Sequence, residues 1–338
     1  VWIARFLLRR LLVLVPLLIG VVLFTFVLVR LGGQDPVALL AGPTATADEI
    51  ARIRADFGLD RSILEQFAVY IGRVLQGDLG RSWLTSRPIG TDIAERIPAT
   101  LELLVLGITL GAVIGITLGL ISATRHGSLI DASIRVGSLL GFSIPTYFLG
   151  LLMLLVFFYL LGVAPPGMGR ISMMYSPPPH LTGSYLIDAL LAGDWSAARS
   201  AASQLVLPVT CAAIVCSAPI VKQTRAIALG VLGSDFVRYA RACGLPESTV
   251  RRIALRNSFV PIVTFTGSEA VGLVGTISLI EYVFAWGGLG QYGLTAITRG
   301  DFAAVQGYVL TLALFSIAVF LVVDLLVLLM EPRSRARS

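Results

Sequence analysis

Few residues in this chain could do chemistry at membrane depth. Glu269 and Asp324 fall inside long apolar runs, and Glu102 and Glu281 sit nearer the ends of such runs. A carboxylate in lipid is expensive, so each is either a functional group on a polar pathway or a neutralised or paired residue between helices. The sequence does not separate these readings. Other chemistries lack their parts. His126 and His180 lie far apart with no ligand spacing, so no metal site is expected. No Ser/His, paired-Asp or His-Glu-x-x-His arrangement occurs at membrane depth, and no Gly-x4-Gly-Lys-Ser/Thr loop occurs to cradle a nucleotide's phosphates. The chain is therefore not expected to be a catalyst. Cys211, Cys216 and Cys243 are too scattered for a disulfide framework and are expected to be packing residues.

Recognition, rather than catalysis, is concentrated in the basic loop 235–258. Asp235 is a plausible N-cap, with Phe236, Val237, Tyr239 and Ala240 following. Gly244 is free to adopt positive φ and end the helix, and Pro246 suits the first turn of another. Small residues at Ala240, Ala242 and Gly244 would let a partner approach the backbone, and Arg251, Arg252 and Arg256 would hold the return helix at an anionic leaflet. The pattern reads equally as a protruding handle or as an ordinary basic loop between two spans; composition does not choose.

These residues need elements to position them, and the composition says what kind. The chain of 338 residues is 56% hydrophobic and 14% charged, with a mean hydropathy of +0.86. That leaves too few charges to cover a soluble surface of this size. The net charge of +6 is gathered in loops beside apolar runs, which reads as membrane topology and not as a nucleic-acid face. Apolar runs near 11–30, 99–122, 138–161, 204–222, 259–280 and 306–329 predict six transmembrane helices, since they do not alternate as barrel strands do. Arg5, Arg9 and Arg10 before the first run could imitate a signal peptide, but no small-residue cleavage site follows, so a retained helix is expected. Basic residues in the N-terminal tail, at 123–137 (Arg125, Arg135), in 223–258 and at Arg333, Arg335 and Arg337 all fall on one side of a six-span arrangement. That side is cytoplasmic by the positive-inside rule, with both termini inside.

The expected organisation is a tail and first span (1–30), an extracytoplasmic loop (31–98), a transmembrane core (99–329) carrying the 162–203 outer loop and the 223–258 cytoplasmic loop, and a cytoplasmic tail (330–338). In the first loop, Thr46 and Glu49 have capping-box spacing, and Leu64, Phe67, Ile71 and Leu75 mark one face of a second short helix stopping at Gly77. Gly107, Gly111, Gly115 and Gly119 line one stripe of the second span, where another helix backbone is expected to pack closely. Pro145 is expected to kink the third. There is no internal repeat of the kind that builds many secondary transporters.

The loop resembles the coupling loop of permease subunits in binding-protein-dependent ABC importers. Ala240 and Gly244 match that family's Glu-Ala-Ala-x3-Gly pattern, while Arg238 and Tyr239 replace its first two residues, so the glutamate's docking role does not carry over. The run Phe236-Val-Arg-Tyr-Ala-Arg-Ala-Cys-Gly-Leu245, then Leu255-Arg-Asn257 and Pro261, is similar to the peptide-permease branch. Arg9-Arg-Leu-Leu-Val-Leu-Val-Pro16, Gln34-Asp-Pro36, Phe57-Gly-Leu-Asp60, Gly77-Asp-Leu-Gly-Arg-Ser82, Ile97-Pro-Ala-Thr-Leu-Glu102, Glu281-Tyr-Val-Phe-Ala-Trp-Gly-Gly-Leu-Gly290, Asp301-Phe-Ala-Ala-Val-Gln-Gly307 and the Glu331-Pro-Arg333 ending resemble the first of the two permeases in such systems.

What the resemblance implies is an all-α, type I importer permease fold in a prokaryotic cell membrane. The subunit itself would bind no cofactor, ATP and Mg belonging to two ATP-binding partners. A second permease and an extracytoplasmic peptide-binding protein would complete the assembly, with no nucleic acid involved. Asp235, Arg238, Tyr239, Ala240, Arg241, Ala242, Gly244, Leu245 and Pro246 would form the ATPase-coupling element, and Glu269 and Glu281 are candidates for the pathway, where a peptide ammonium needs a polar partner. The cargo stays open: nickel chelates, glutathione and oligosaccharides use the same architecture, and a stand-alone ion-coupled transporter is the rival of another class.

Overall fold

The computed structural model describes residues 62–330 and 18–27, with single positions 16, 46 and 48. Glu49 of the expected Thr46/Glu49 cap, both basic tails and the two ends of the first expected span lie outside these residues. Among the described residues the chain is helical apart from one isolated bridge, Arg81 to Pro88. Part of the first expected span is α1 (Leu18–Val27), a short apolar helix.

Two compact units form, one from residues 1–97 and 289–315 and the other from 98–288 and 316–338. The first unit contains α2 (Ile63–Leu75), the start of α3 (Ile89–Thr124), α10 (Leu289–Arg299) and the start of α11 (Phe302–Met330). A capping box that the sequence reading missed opens α2: Ser62 Oγ accepts from the Glu65 amide while the Glu65 carboxylate accepts from the Ser62 amide. Phe67 of that helix meets Phe26 edge-on at 5.3 Å between ring centroids. The core joins Ile89 and Ile93 to Leu289, Tyr292 and Ala296 and to Ala304 and Tyr308. Two motifs far apart in sequence also meet here. Asp301 caps α11 by accepting from the Ala304 amide at 3.1 Å, and its other oxygen accepts from Ser82 Oγ and from the Leu84 amide at 3.2 Å.

The second unit is organised around α7 (Trp195–Leu232), whose most apolar window is 67% buried against 28% in α3 and in α9 (Glu247–Val283). Small residues explain how α3 and α7 approach. A Cβ added at Gly107 would stand 2.7 Å from Ala212 Cβ, one at Gly111 would overlap Cys216 Sγ, and ones at Gly115 and Gly119 would lie 2.6 Å from Ile220 and Thr224. The partners advance together along both chains, so the two helices run parallel. On another seam, Gly267 of α9 makes room for Val323 of α11.

The expected third span is not one helix. It divides into α4 (Leu129–Ser143), then α5 (Thr146–Met153) with a π-helical continuation (Leu154–Leu160), bent by 103°. Pro145 breaks the helix rather than kinking it, because the residue before a proline is pushed out of the helical region; Ile144 sits at φ −79°, ψ 124°. Likewise, most of the expected loop 123–137 is the first half of α4. Within the outer segment 162–203, α6 (Tyr185–Leu191) and the start of α7 are helical.

Four described helices, α3, α7, α9 and α11, are long and apolar enough to cross a membrane, or five spans if the bent pair counts as one.

Candidate functional site

After α7 the chain makes a tight excursion. Gly233 and Ser234 lead into α8 (Asp235–Ala242), and the chain then returns through α9, which runs unbroken from the basic residues into the apolar span. Ser234, not Asp235, holds the N-cap position (φ −72°, ψ 157°), one residue earlier than expected. Asp235 stands at the first helical position, where its charge faces the positive end of the dipole, and pairs with Arg238 at 3.5 Å.

The C-terminus of α8 is a Schellman motif. Gly244 lies at φ +76°, its N–H donates to Arg241 O at 2.9 Å, and the Leu245 N–H donates to Ala240 O at 3.3 Å. Pro246 then occupies the N-cap of α9, outside its first turn. Across this turn Arg241 grips Glu247 with two bonds, at 3.2 and 3.0 Å, holding that carboxyl below the usual carboxylate range, with Arg251 at 3.5 Å adding to it.

One face of α8 is internal. Val237 is 1% exposed and packs on Val250 and Ala254, with Ala240 beside it. Ala240 is therefore small because it lies against the return helix, which corrects the expectation that it opens the backbone to a partner. The opposite face carries Phe236, Tyr239, Ala242, Cys243, Gly244 and Leu245, all exposed, Tyr239 at 73%. Cys243 is thus a surface residue and not the packing residue expected, while Cys211 and Cys216 are buried. α8 is thus a helix of eight residues, pinned by one buried valine and with Phe236 and Tyr239 exposed.

Seven residues before the end of α7, at Arg225, lies a charged cluster that the sequence does not announce. Asp131, 1% exposed, accepts from Arg225 Nε at 2.8 Å and Nη2 at 3.0 Å, from the Gly127 amide at 3.1 Å and from Ser122 Oγ, with Arg135 at 3.7 Å. Counting basic residues for topology hid it; the Ser128-x-x-Asp131 spacing at the start of α4, with the Ser128 hydroxyl accepting from the Asp131 amide at 3.2 Å, was the available signal.

The other end of the same helices carries two further ties. Glu281, fully buried, accepts from Thr100 Oγ1 at 2.6 Å, and its carboxylate fills the space where Gly288 has no side chain. Trp286 closes the knot by donating from Nε1 to Ala99 O at 3.0 Å. Nearby, Glu102 pairs with Arg170 at 3.0 Å with both side chains under a tenth exposed, accepts from Ser184 Oγ, and Arg170 lies over the Tyr185 ring at 4.0 Å. Glu281 is therefore enclosed in this chain rather than open to a pathway. Glu269 differs: it is half-buried on α9, with no hydrogen bond or ion pair among the described residues. Asp324 is half-buried on α11.

A multi-helix membrane protein with a protruding helical handle is a class defined by these features. Comparison with known proteins specifies it further. The chain belongs to the family described as binding-protein-dependent transport system inner membrane component, which it matches over 115–336, and its N-terminal companion matches over 3–104. It is 38% identical over 321 residues to the probable D,D-dipeptide transport system permease protein of Escherichia coli, covering 95% of this chain and 94% of that one. It is 36% identical over 336 residues to the di/tripeptide transport system permease protein of Pseudomonas aeruginosa, with 98% of each covered. The dipeptide transport system permease protein of Escherichia coli is 36% identical over 338 residues, with 99% of each covered. The chain is thus a multi-pass permease component of a prokaryotic cell membrane, in a family whose membrane component is not itself the catalyst.

Proposed function

We propose that the chain forms half of the translocation pathway of an ATP-driven importer of di- and oligopeptides. Its partners are a second permease, two ATP-binding subunits and an extracytoplasmic peptide-binding protein. Six helices cross the membrane with both termini in the cytoplasm, the first span running through α1. α8 docks in a groove of an ATP-binding subunit, and closure of the ATPases displaces it to switch the pathway between outward- and inward-facing forms. The observation that carries this reading is the exposed face of Phe236, Tyr239 and Leu245 on a helix held by Val237 alone among its fully buried residues. The parallel course of α3 and α7 supports the topology, since both end on the handle's side.

Peptide cargo rests on the names of the relatives, and within the chain Glu269 is the acid left to meet a peptide ammonium. The test is ATPase activity of the reconstituted complex with its binding protein. Peptides are expected to raise it; stimulation by a nickel chelate, glutathione or an oligosaccharide, with peptides inert, would reassign the cargo and leave the coupling role standing.

A further inference from the structure

Asp131 and Arg225 belong to no part of α8, yet Arg225 lies on the helix that leads into it. Asp131 gathers donors from three places: the end of α3 through Ser122, the turn through Gly127 and α7 through both faces of the Arg225 fork. One residue before Arg225, Thr224 is buried against Gly119, so the spacing of α3 and α7 is already minimal there. From Arg225 the helix continues to Leu232, about 11 Å further, before Gly233 and Ser234 turn into α8. No flexible linker intervenes.

α4 is the element that needs this grip. Further along, even a Cβ added at Gly141 would meet Ala218 and Ile214 of α7 only at ordinary contact distance, 3.7 Å, and beyond it the helix ends at the 103° break before α5. Apolar faces at such a distance slide and rotate with little loss. A two-bond fork between a guanidinium and a buried carboxylate does not, because both its bonds are directional.

We propose that the Asp131–Arg225 fork is a positioning device for transport: it makes α4 move with α7 when the handle is displaced, so that the displacement reaches the break at Ile144-Pro145 and the α5 segment beyond it. This rests on the coupling reading of α8. Three consequences follow from that geometry. Loss of the fork leaves the handle seated on its partner, leaves ATP hydrolysis running, and disconnects hydrolysis from uptake. Arg225→Lys, which keeps the charge but cannot form the fork, shares the defect in milder form.

The test uses the reconstituted complex and reads peptide uptake per ATP hydrolysed, alongside complex abundance and a photocross-link from position 239 to the ATP-binding subunit. Asp131→Asn is expected to lower uptake per ATP by about tenfold with the cross-link retained, and Arg225→Lys by less, about threefold. A purely structural role would lower abundance and leave uptake per ATP in the surviving complex unchanged; that result overturns the proposal. Should Asp131→Asn fail to assemble, Arg225→Lys decides: an unchanged ratio in assembled complex overturns it, a lowered one supports it. Absence of the cross-link in the unsubstituted complex is a separate failure, of the coupling reading itself.

Discussion

The two ends of the second unit use the same kind of chemistry for different purposes. Along α3, Thr100 and Ser122 are separated by about 33 Å of helix, close to the thickness of a hydrocarbon core. Between them lies a seam of glycines with no charge. At the Thr100 end, Glu102 ties α3 to Arg170 and Ser184 of the 162–203 segment, and Glu281 ties α9 to Thr100. At the Ser122 end, Asp131 ties helices to one another and leaves the neighbouring handle uncovered. On the proposed coupling reading, the first end is a fastened lid and the second a lever. Buried acids in one membrane protein thus need not share a role, and their partners, not their depth, tell them apart.

The largest effect is expected where the fastening is most enclosed. Glu102→Ala strands Arg170 among Tyr185 and the Gly183 carbonyl, and a buried charge left unpaired costs about 3–5 kcal/mol. Membrane abundance and thermal stability of the complex should fall sharply; near-normal stability would mean that the lid is not held by this pair. Next comes the seam between the ends. Gly111→Val has to displace Cys216 and the Ala213 backbone and should cost about 1–3 kcal/mol, read as a lower unfolding temperature in detergent.

At the lever end the effects should move from stability to function. Gly244→Asp puts a side chain at φ +76°, where nothing else lies within 4 Å, so the strain is local. Assembly should survive while hydrolysis and uptake separate; loss of assembly instead would blur the contrast between the two ends. Glu269→Gln is expected to weaken uptake without lowering abundance, whereas a packing role would lower abundance or change nothing. The smallest effect belongs to the Arg241–Glu247 pair. Its depressed carboxyl pKa means that its contribution is present above the ordinary carboxylate range and fades as pH falls below about 4, and because the pair is exposed, Glu247→Gln should leave the melting temperature at neutral pH unmoved.

How much of this was legible beforehand follows a physical divide. Periodicity and apolar length located α3, α7, α9 and α11, and a single glycine located the turn after α8, because these depend on local sequence. Caps shifted by a residue, as at Ser234, since several neighbouring side chains compete for one position. The break at Pro145 was read as a kink because the effect of proline on the preceding Ile144 was left out. The polar ties stayed hidden for another reason. Asp131 finds Arg225 and Glu102 finds Arg170 only after the helices pack, and a count of basic residues treats Arg225 as a topology signal. The small size of Ala240 reads as room for a partner, yet its three-residue spacing from Val237 puts the two on one side of a helix.

The account turns on whether the uncovered face of α8 is a docking surface, and a photocross-linker placed in turn at Tyr239 and at Val237 of the assembled complex tests it most directly. The prediction is a cross-link to an ATP-binding subunit from position 239, weakened or shifted as nucleotide closes that subunit, and a link only within this chain from position 237. Cross-links from position 239 that reach only lipid or this chain would contradict it.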